Sequence, residues 1–156
     1  MGQEISIKEL KYNEGLYEFL EYLFSNGVDN YIVSAGMKCF LEKTSIRNYF
    51  KDVYGTTFKY KNKEIVGIDN LVTDKEKISC VKDIMVKNNL ENCSNIVYIG
   101  DGLTDLPVME YVKNNGGVSI FLGDKEVDSN IVSYCLKRDY SLNGDIFKVI
   151  CNLFNI

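Results

Sequence analysis

The chain has 156 residues, of which 46% are apolar, 18 are basic and 22 are acidic, so its formal net charge is −4. This length and composition are those of one globular domain with a buried core. The acidic balance argues against nucleic acid as the main partner, because a phosphate backbone requires clustered Lys and Arg. A small phosphorylated substrate needs only one or two local cations and is still allowed. No apolar run has the length of a membrane span, and the N-terminus does not have the pattern of a signal peptide.

The sequence contains no histidine and five cysteines. The lack of histidine excludes Ser-His-Asp and Cys-His catalysis as well as His-ligated metals. The cysteines are odd in number, widely spaced and without a CxxC pair, which predicts reduced thiols in the cytoplasm rather than disulfides or a zinc site. Catalysis by this chain must therefore use carboxylates, lysine, hydroxyls, thiols, backbone amides or an oxygen-liganded metal.

The hydrophobic pattern predicts helices alternating with short strands. Helices are predicted over residues 14–24, 37–49, 74–87, 105–113 and 147–154. Strands are predicted over residues 31–33, 96–99, 118–121 and 131–134, and residues 52–68 form short strands and a hairpin with its tip at residues 61–63. This alternation predicts an α/β fold, a Rossmann-like parallel sheet with helices on both faces, over a single domain of residues 1–156. Ligands of such sheets bind beyond the carboxyl ends of the strands.

The most distinctive motif is the GDGxxD segment that follows the predicted strand 96–99. Gly100 and Gly102 allow a sharp turn and close approach of a ligand. Asp101 would project from the strand end, and Asp105 would lie in the first turn of the next helix, where Thr104 can act as its cap. Two converging carboxylates suit Mg²⁺, which prefers oxygen ligands. The structural alternative is an ordinary Asp-Gly turn followed by an acid at a helix start.

A second polar loop, Ser34-Ala35-Gly36, follows the predicted strand 31–33. The hydroxyl of Ser34 and the backbone amides of Ala35 and Gly36 can bind phosphate oxygens at a helix start. Helix capping by the same serine is the alternative, and the segment does not have the pattern of a G-x-S-x-G nucleophile elbow.

A lysine stands near the start of the predicted helix 74–87. Because a helix N-terminus favours acids, Lys77 is electrostatically misplaced there. A lysine that offsets phosphoryl charge accounts for this position, and a solvated surface lysine is the alternative.

A strand ending in Ser, a lysine at a helix start and a strand ending in GDGxxD follow one another in this order. Together they resemble motifs two, three and four of the haloacid dehalogenase superfamily, in particular its phosphoserine phosphatase-like members. The segments EGLYEFLEYLFSNGVDNYIVSAG, VTDKEK and IVYIGDGLTDLPVMEYVKNNGG carry the resemblance, which covers residues 14–125. The GDGxxD segment is its specific part.

The resemblance implies a role for each matching residue. Ser34, with Ala35 and Gly36, would bind the phosphoryl group, and Lys77 would stabilise its charge. Asp101 would ligate Mg²⁺ and Asp105 would support the metal site. Lys75 is the second choice for the motif-three lysine, because the register of VTDKEK favours Lys77.

One departure from the family pattern is large. The superfamily carries its nucleophilic aspartate in a first motif, DxDx[TV], and this sequence contains no Asp-x-Asp at all. The resemblance therefore indicates a truncated C-terminal portion that lacks the first-motif strand. In the family, that strand lies between those of motifs two and four, so its loss is expected to leave unpaired strand edges. A homodimer, a separate N-terminal complementing segment or the segment Ile5-Ser6-Ile7 would compensate.

The resulting hypothesis is a phosphohydrolase of this superfamily. A full-length parent would hydrolyse a small phosphorylated metabolite with Mg²⁺ through an aspartyl-phosphate, and this chain alone is expected to be inactive. The alternative is a non-catalytic module that binds phosphate or metal, or that complements a separate N-terminal half. A response-regulator-like domain is a further alternative, but Ser34 stands where its phosphoacceptor acid is required.

Overall fold

The computed structural model describes residues 11–156. Its helices are α1 (Leu16–Ser25), α2 (Lys38–Leu41), α3 (Asp74–Lys87), α4 (Leu106–Asn114) and α5 (Asp145–Phe154). Its strands are β1 (Tyr31–Met37), β2 (Asp52–Lys61), β3 (Glu64–Asn70), β4 (Val97–Gly100), β5 (Val118–Leu122) and β6 (Tyr134–Leu136). Two 3₁₀ turns lie at Arg47–Tyr49 and Leu103–Asp105. None of the helices formed by residues 11–156 has both the length and the apolar character needed to cross a bilayer.

The strands form two sheets of three strands each. In the first sheet, β1 is parallel to β2, and β2 pairs with β3 in an antiparallel hairpin. In the second sheet, β4, β5 and β6 lie in that order and are all parallel. Within the described part of the chain no ladder joins β1 to β4. The division falls where the sequence predicts a missing strand.

Helices cover both faces of the second sheet. Ile120 and Leu122 of β5 pack with α1 and α5 on one face. Phe121, between them, packs with α3 and α4 on the other face. Both faces of β5 are therefore buried, as expected for a central parallel strand. The predicted α/β fold with helices on both faces is confirmed.

Local chemistry fixes the predicted helix 74–87. Thr73 and Glu76 form a reciprocal capping box, in which the amide of Thr73 donates to the Glu76 carboxylate over 3.2 Å. Helix α3 consequently has the bounds that the sequence predicts.

The predicted hairpin is also confirmed. Its two strands are longer than expected, and Asn62 and Lys63 connect them with φ values of 51° and 68°. Two positive φ values in succession are typical of the tight turn that matches the twist of a hairpin.

The helix predicted over residues 37–49 is wrong in extent. Only α2 and the 3₁₀ turn Arg47–Tyr49 form there. The hydroxyl of Thr44 donates to the carbonyl of Leu41 over 2.8 Å, and the guanidinium group of Arg47 donates to the carbonyl of Phe50 over 2.5 Å. Side chains that bond to nearby backbone groups compete with the helical ladder, and here they accompany its interruption.

The strand predicted over residues 131–134 lies further along, as β6. The side-chain carboxylate of Asp128 accepts a hydrogen bond from the amide of Asn130 over 2.8 Å. The backbone carbonyl of Asp128 accepts one from the amide of Ile131 over 2.9 Å. This turn occupies the residues before Tyr134 and delays the strand.

Candidate active site

The loop after β4 is organised around the carboxylate of Asp105. This residue ends the 3₁₀ turn that precedes α4, and it is only 8% exposed. Its Oδ2 atom accepts from the amide of Gly102 over 3.1 Å. The Asp105 carboxylate, rather than Thr104, therefore satisfies an amide at this turn, since no side-chain cap by Thr104 is present.

Lys77 reaches this carboxylate from α3. Its Nζ atom lies 2.6 Å from Oδ1 of Asp105 and 3.3 Å from the hydroxyl of Thr104. Lys77 is 5% exposed, so the ion pair is almost fully removed from water. A buried ion pair is stable only when further hydrogen bonds satisfy its members, and Asp105 has these partners.

Tyr98 supplies one of those hydrogen bonds from β4. Its hydroxyl donates to Oδ1 of Asp105 over 2.9 Å. Burial is the main cause that raises the pKa of Tyr98, and the negative charge and hydrogen bond of Asp105 raise it further. The phenol is therefore held in its neutral, donating form.

The absence of a side chain at Gly100 makes room for this cluster. A Cβ atom at Gly100 would lie 2.7 Å from Cγ and from Oδ2 of Asp105. Heavy atoms do not approach this closely without displacement. The first glycine of the motif thus allows Asp105 to fold back over the end of β4.

Asp101 points into a different environment. Its side chain is 57% exposed, and Oδ2 lies 2.6 Å from a guanidinium nitrogen of Arg138. Arg138 follows β6, and because β4, β5 and β6 are parallel, the loops after β4 and β6 lie at the same edge of the sheet. This pair is 45% exposed on the Arg138 side and is a surface ion pair.

Ser34, Ala35 and Gly36 lie at the carboxyl end of the first sheet. They are not the predicted loop after a strand over residues 31–33, because β1 runs on to Met37 and contains them, with an irregular pairing to β2 between Val33 and Met37. The hydroxyl of Ser34 accepts from the amide of Gly36 over 3.0 Å, and Ala35 and Gly36 are exposed. No direct contact between Ser34 and Lys77 is present among the described residues.

Thr56 connects the carboxyl end of β1 to helix α3, which carries Lys77. Its hydroxyl donates to the carbonyl of Ala35 over 3.0 Å and accepts from the amide of Val72 over 3.2 Å. Val72 lies two residues before α3, which carries Lys77. The carboxyl end of β1, the N-terminus of α3 and the end of β4 are thus linked at one edge of the molecule.

The donor set at this edge bears on the predicted Mg²⁺ site. In the part of the chain that the structure describes, no group of three or more His, Cys, Asp or Glu side chains is placed to hold an ion. Mg²⁺ commonly takes one or two carboxylates and completes its shell with water and substrate oxygens. The exposed carboxylate of Asp101 fits the position of one such ligand. The oxygens of Asp105 are engaged by Lys77, Tyr98 and Gly102, which fits a supporting position.

The structure therefore brings together Lys77 and Asp105, with Asp101 on the same loop. It places Lys75 at an exposed position outside the cluster. Two participants, Tyr98 and Arg138, were not predicted. Arg138 was not predicted because the strand before it was predicted over residues 131–134, too early in the chain. Tyr98 was not predicted because the apolar pattern of the strand indicated only a core residue at this position.

A parallel α/β sheet with an acidic loop and a buried lysine at its carboxyl edge is typical of α/β domains of the haloacid dehalogenase type. The chain belongs to the haloacid dehalogenase-like hydrolase family, whose model matches residues 1–110. No curated protein sequence is significantly similar to it.

Solved structures share the fold. A haloacid dehalogenase family hydrolase from Salmonella enterica serovar Typhi has a TM-score of 0.67 and 20% identity, over 92% of this chain and 46% of its own. A probable phosphoserine phosphatase from Vibrio cholerae has a TM-score of 0.66 and 18% identity, over 93% of this chain and 42% of its own. The cobalt-bound deoxy-D-mannose-octulosonate 8-phosphate phosphatase of Haemophilus influenzae has a TM-score of 0.63 and 15% identity, over 93% of this chain and 74% of its own. This chain spans less than half the length of the first two.

Proposed function

We propose that this chain carries the phosphate- and metal-binding half of a Mg²⁺-dependent phosphomonoester hydrolase. The observation that carries the proposal is the buried ion pair of Lys77 with Asp105, which lies beside the exposed carboxylate of Asp101 at the carboxyl edge of the sheet. Family membership supports hydrolase chemistry, and phosphatases are among the structures with the same fold.

Each polar group has a proposed part in this function. Ser34 and the backbone of the exposed residues Ala35 and Gly36 bind phosphoryl oxygens. Lys77 offsets the negative charge of the phosphoryl group, and Asp105 holds its ammonium in place. Asp101 ligates Mg²⁺, whose charge would neutralise phosphoryl oxygens during transfer.

The nucleophile has to come from a DxDx[TV] segment, which these 156 residues do not contain. Its carboxylate would attack phosphorus and expel the alcohol of a small phosphorylated metabolite. Water would then cleave the aspartyl-phosphate, releasing inorganic phosphate and restoring the carboxylate. We therefore propose that this chain alone does not turn over substrate. We also propose a cytoplasmic location, which the five free cysteines support.

A phosphatase assay tests the proposal. The chain alone, with p-nitrophenyl phosphate and Mg²⁺, should give no turnover. Co-expression with a DxDx[TV]-containing fragment of a phosphoserine phosphatase should produce turnover. Ser34→Ala should lower that turnover about 100-fold, the usual effect of losing one donor to a transition-state oxygen. Ser94→Ala, at an exposed position away from the site, is the matched control.

Two outcomes would overturn this proposal. Turnover by the chain alone that Asp101→Ala abolishes would show that the nucleophile lies within these residues. A co-purifying complex that stays inert, yet binds Mg²⁺ or phosphate, would favour the non-catalytic binding module instead.

A further inference from the structure

The β2–β3 hairpin extends beyond the carboxyl edge of the first sheet. The parallel pairing of β1 with β2 ends at Met37 and Thr56, whereas β2 continues to Lys61. The five further residues, at about 3.3 Å each, carry the strand about 16 Å past this last pairing. We call residues 57–70 the arm. Residues 59–71 are exposed except for Gly67, so the described chain leaves most of the arm open to solvent.

Two β-bulges gather apolar side chains on one face of the arm. Phe58 pairs with Ile68, and Tyr60 pairs with Ile65, so the members of each pair share a face. Phe58 and Tyr60 are two positions apart on β2 and also share a face. Ile65 and Ile68 are three positions apart and would point to opposite faces of a regular strand. The shift of register between the two pairs brings both to the same face. We call these four side chains the apolar face of the arm.

The opposite face of the arm is polar. The residues paired there are Thr57 with Asn70, Lys59 with Gly67, and Lys61 with Glu64. Water solvates these side chains well, whereas the exposed apolar face is favourable to bury. The arm therefore has one face suited to solvent and one suited to a contact.

The free edge of β3 is protected against the addition of a strand. In the described sheets β3 pairs with β2 alone, so its other edge is open. Bulges distort such an edge, and charged side chains on it oppose pairing between edges. Two register shifts lie in this hairpin, and β3 carries Glu64 and Asp69. An occupant of the arm is therefore expected on the apolar face and not along the edge.

The exposed area of the apolar face suits a small interface. Tyr60 is 57% exposed, and Ile65 and Ile68 are each 52% exposed. Free side chains of this size present roughly 150–200 Å², so these three expose about 300 Å². A standard interface buries about 800 Å² on each partner, somewhat more than half of it apolar. The arm thus supplies more than half of the apolar area that a stable dimer requires, which indicates weak association.

The charges of the arm complement those of a second arm. Lys61 and Lys63 lie at the tip, and Asp69 lies near the base. In the described part of the chain none of these three residues forms an ion pair. When two arms pack face to face about a twofold axis, with the tip of one against the base of the other, the tip lysines of each copy lie beside Asp69 of the other. Opposite charges at the rim of an interface favour encounter and fix its orientation.

We propose that the apolar face of the arm is the contact surface for a second copy of this chain, in this antiparallel, twofold arrangement. Within residues 11–156 no other helix, strand or loop exposes more than two large apolar side chains. The matching surface on a second copy is therefore its own arm, and a contact between identical patches closes as a dimer. Because the arm rises from the carboxyl edge of the first sheet, the second copy lies beside that edge. The proposal does not depend on the proposed function.

The concentration dependence of the oligomeric state tests this surface. Sedimentation velocity of the full chain between about 10 µM and 1 mM should show a monomer and dimer in equilibrium, with a Kd on the order of 0.1 mM for so small an interface. Ile65→Lys/Ile68→Lys should raise this Kd at least about tenfold, because it places charges in the contact. Val86→Lys is the matched control, since Val86 is 75% exposed on α3, and it should dimerise like the unaltered chain.

An exchange of charges tests the arrangement without altering the apolar face. Lys63 has a φ of 68°, a conformation that Asp adopts more readily than most residues. Lys63→Asp should therefore preserve the turn, yet raise the Kd about threefold to fivefold by placing acids beside Asp69 of the other copy. Lys63→Asp/Asp69→Lys should restore the original Kd, because the opposite charges meet again with their signs exchanged.

Four outcomes would overturn the proposal. One is a chain that stays monomeric at about 1 mM. A second is a dimer of unchanged Kd in Ile65→Lys/Ile68→Lys, which would place the second copy elsewhere, as at the unpaired edges of β1 and β4. The segment Ile5-Ser6-Ile7, which was also predicted to compensate for the missing strand, lies outside the described residues. A third is new hydrogen-exchange protection of β3 amides in the dimer, which would show strand addition at the edge. The fourth is a charge exchange that does not restore the Kd, which would exclude the packing of tip against base.

Discussion

The ammonium group of Lys77 lies 2.6 Å from Oδ1 of Asp105, although 28 positions separate the two residues in sequence. The capping box at the start of α3 and the 3₁₀ turn after β4 bring them together, and burial removes both from water. The lysine that is electrostatically misplaced at a helix start thus has a specific anionic partner. Its position is explained by the packing of α3 against the loop after β4.

Breaking this pair should be costly. Lys77→Met leaves the Asp105 carboxylate buried without its counter-ion, which typically lowers the free energy of unfolding by about 3–5 kcal/mol. The double variant Lys77→Met/Asp105→Asn should recover part of that loss, because the uncompensated charge is gone. Urea unfolding of the two single variants and the double variant measures the coupling. Strict additivity would contradict a direct interaction.

Gly100→Ala should destabilise the chain through a steric conflict. The added Cβ atom would lie 2.7 Å from the carboxylate of Asp105, so the loop must shift, at a cost of about 1–3 kcal/mol. Gly67→Ala is the matched control, since its Cβ atom would have no neighbour within 4 Å. Thermal unfolding of both variants decides the point. If the two variants unfold at the same temperature, the position of the Asp105 carboxylate does not depend on the missing side chain at Gly100.

Because Tyr98 is buried in its neutral form, we expect the free energy of unfolding to fall at alkaline pH. Its folded pKa is raised from the ordinary value of 10.0 by burial and by Asp105, so its contribution is fully present below pH 10. Above that pH the unfolded phenol loses its proton while the folded one keeps it, and the free energy of unfolding falls by about 1.4 kcal/mol per pH unit for this group. Tyr98→Phe should show a shallower alkaline slope in urea unfolding between about pH 9 and 11. An unchanged slope would contradict the assignment to Tyr98.

Arg138 should compete with a divalent cation for Asp101. Because the pair is largely exposed, it is worth at most about 1 kcal/mol, so Arg138→Ala should strengthen Mn²⁺ binding by up to about fivefold. Lys137→Ala removes the same charge from an exposed neighbour that has no described contact with Asp101. Mn²⁺ titration followed by electron paramagnetic resonance measures both variants. If both variants bind Mn²⁺ more tightly by the same factor, the gain comes only from the removal of a positive charge at long range. Weaker Mn²⁺ binding by Arg138→Ala would contradict competition between Arg138 and the cation for Asp101.

The sequence predicted those parts of the fold that local chemistry controls. The apolar periodicity predicted a helix over residues 74–87, and α3 has these bounds, with the capping box of Thr73 and Glu76 at its start. The order of Ser34, Lys77 and GDGxxD indicated the family, which the family model confirms. The roles of these residues remain predictions.

Other features depend on tertiary contacts that no local pattern encodes. Because of the turn at Asp128, β6 begins later than predicted. The sequence therefore did not indicate that Arg138 lies at the carboxyl edge of the sheet. Tyr98 has the same alternation as any core residue, and only the folded structure places its hydroxyl on Asp105. Gly100 was predicted to admit a ligand, yet its missing side chain makes room for the carboxylate of Asp105.

The separation of β1 from β4 has a consequence for folding cooperativity. No backbone ladder crosses from one sheet to the other among residues 11–156. The two sheets are therefore coupled by side-chain packing, through α3 and through α1, which packs on the segment between β1 and β2. Local opening of the first sheet can then precede opening of the second. Native-state hydrogen exchange should resolve two subglobal units with different free energies, in which amides of β5 exchange last because that strand is paired on both edges and buried on both faces.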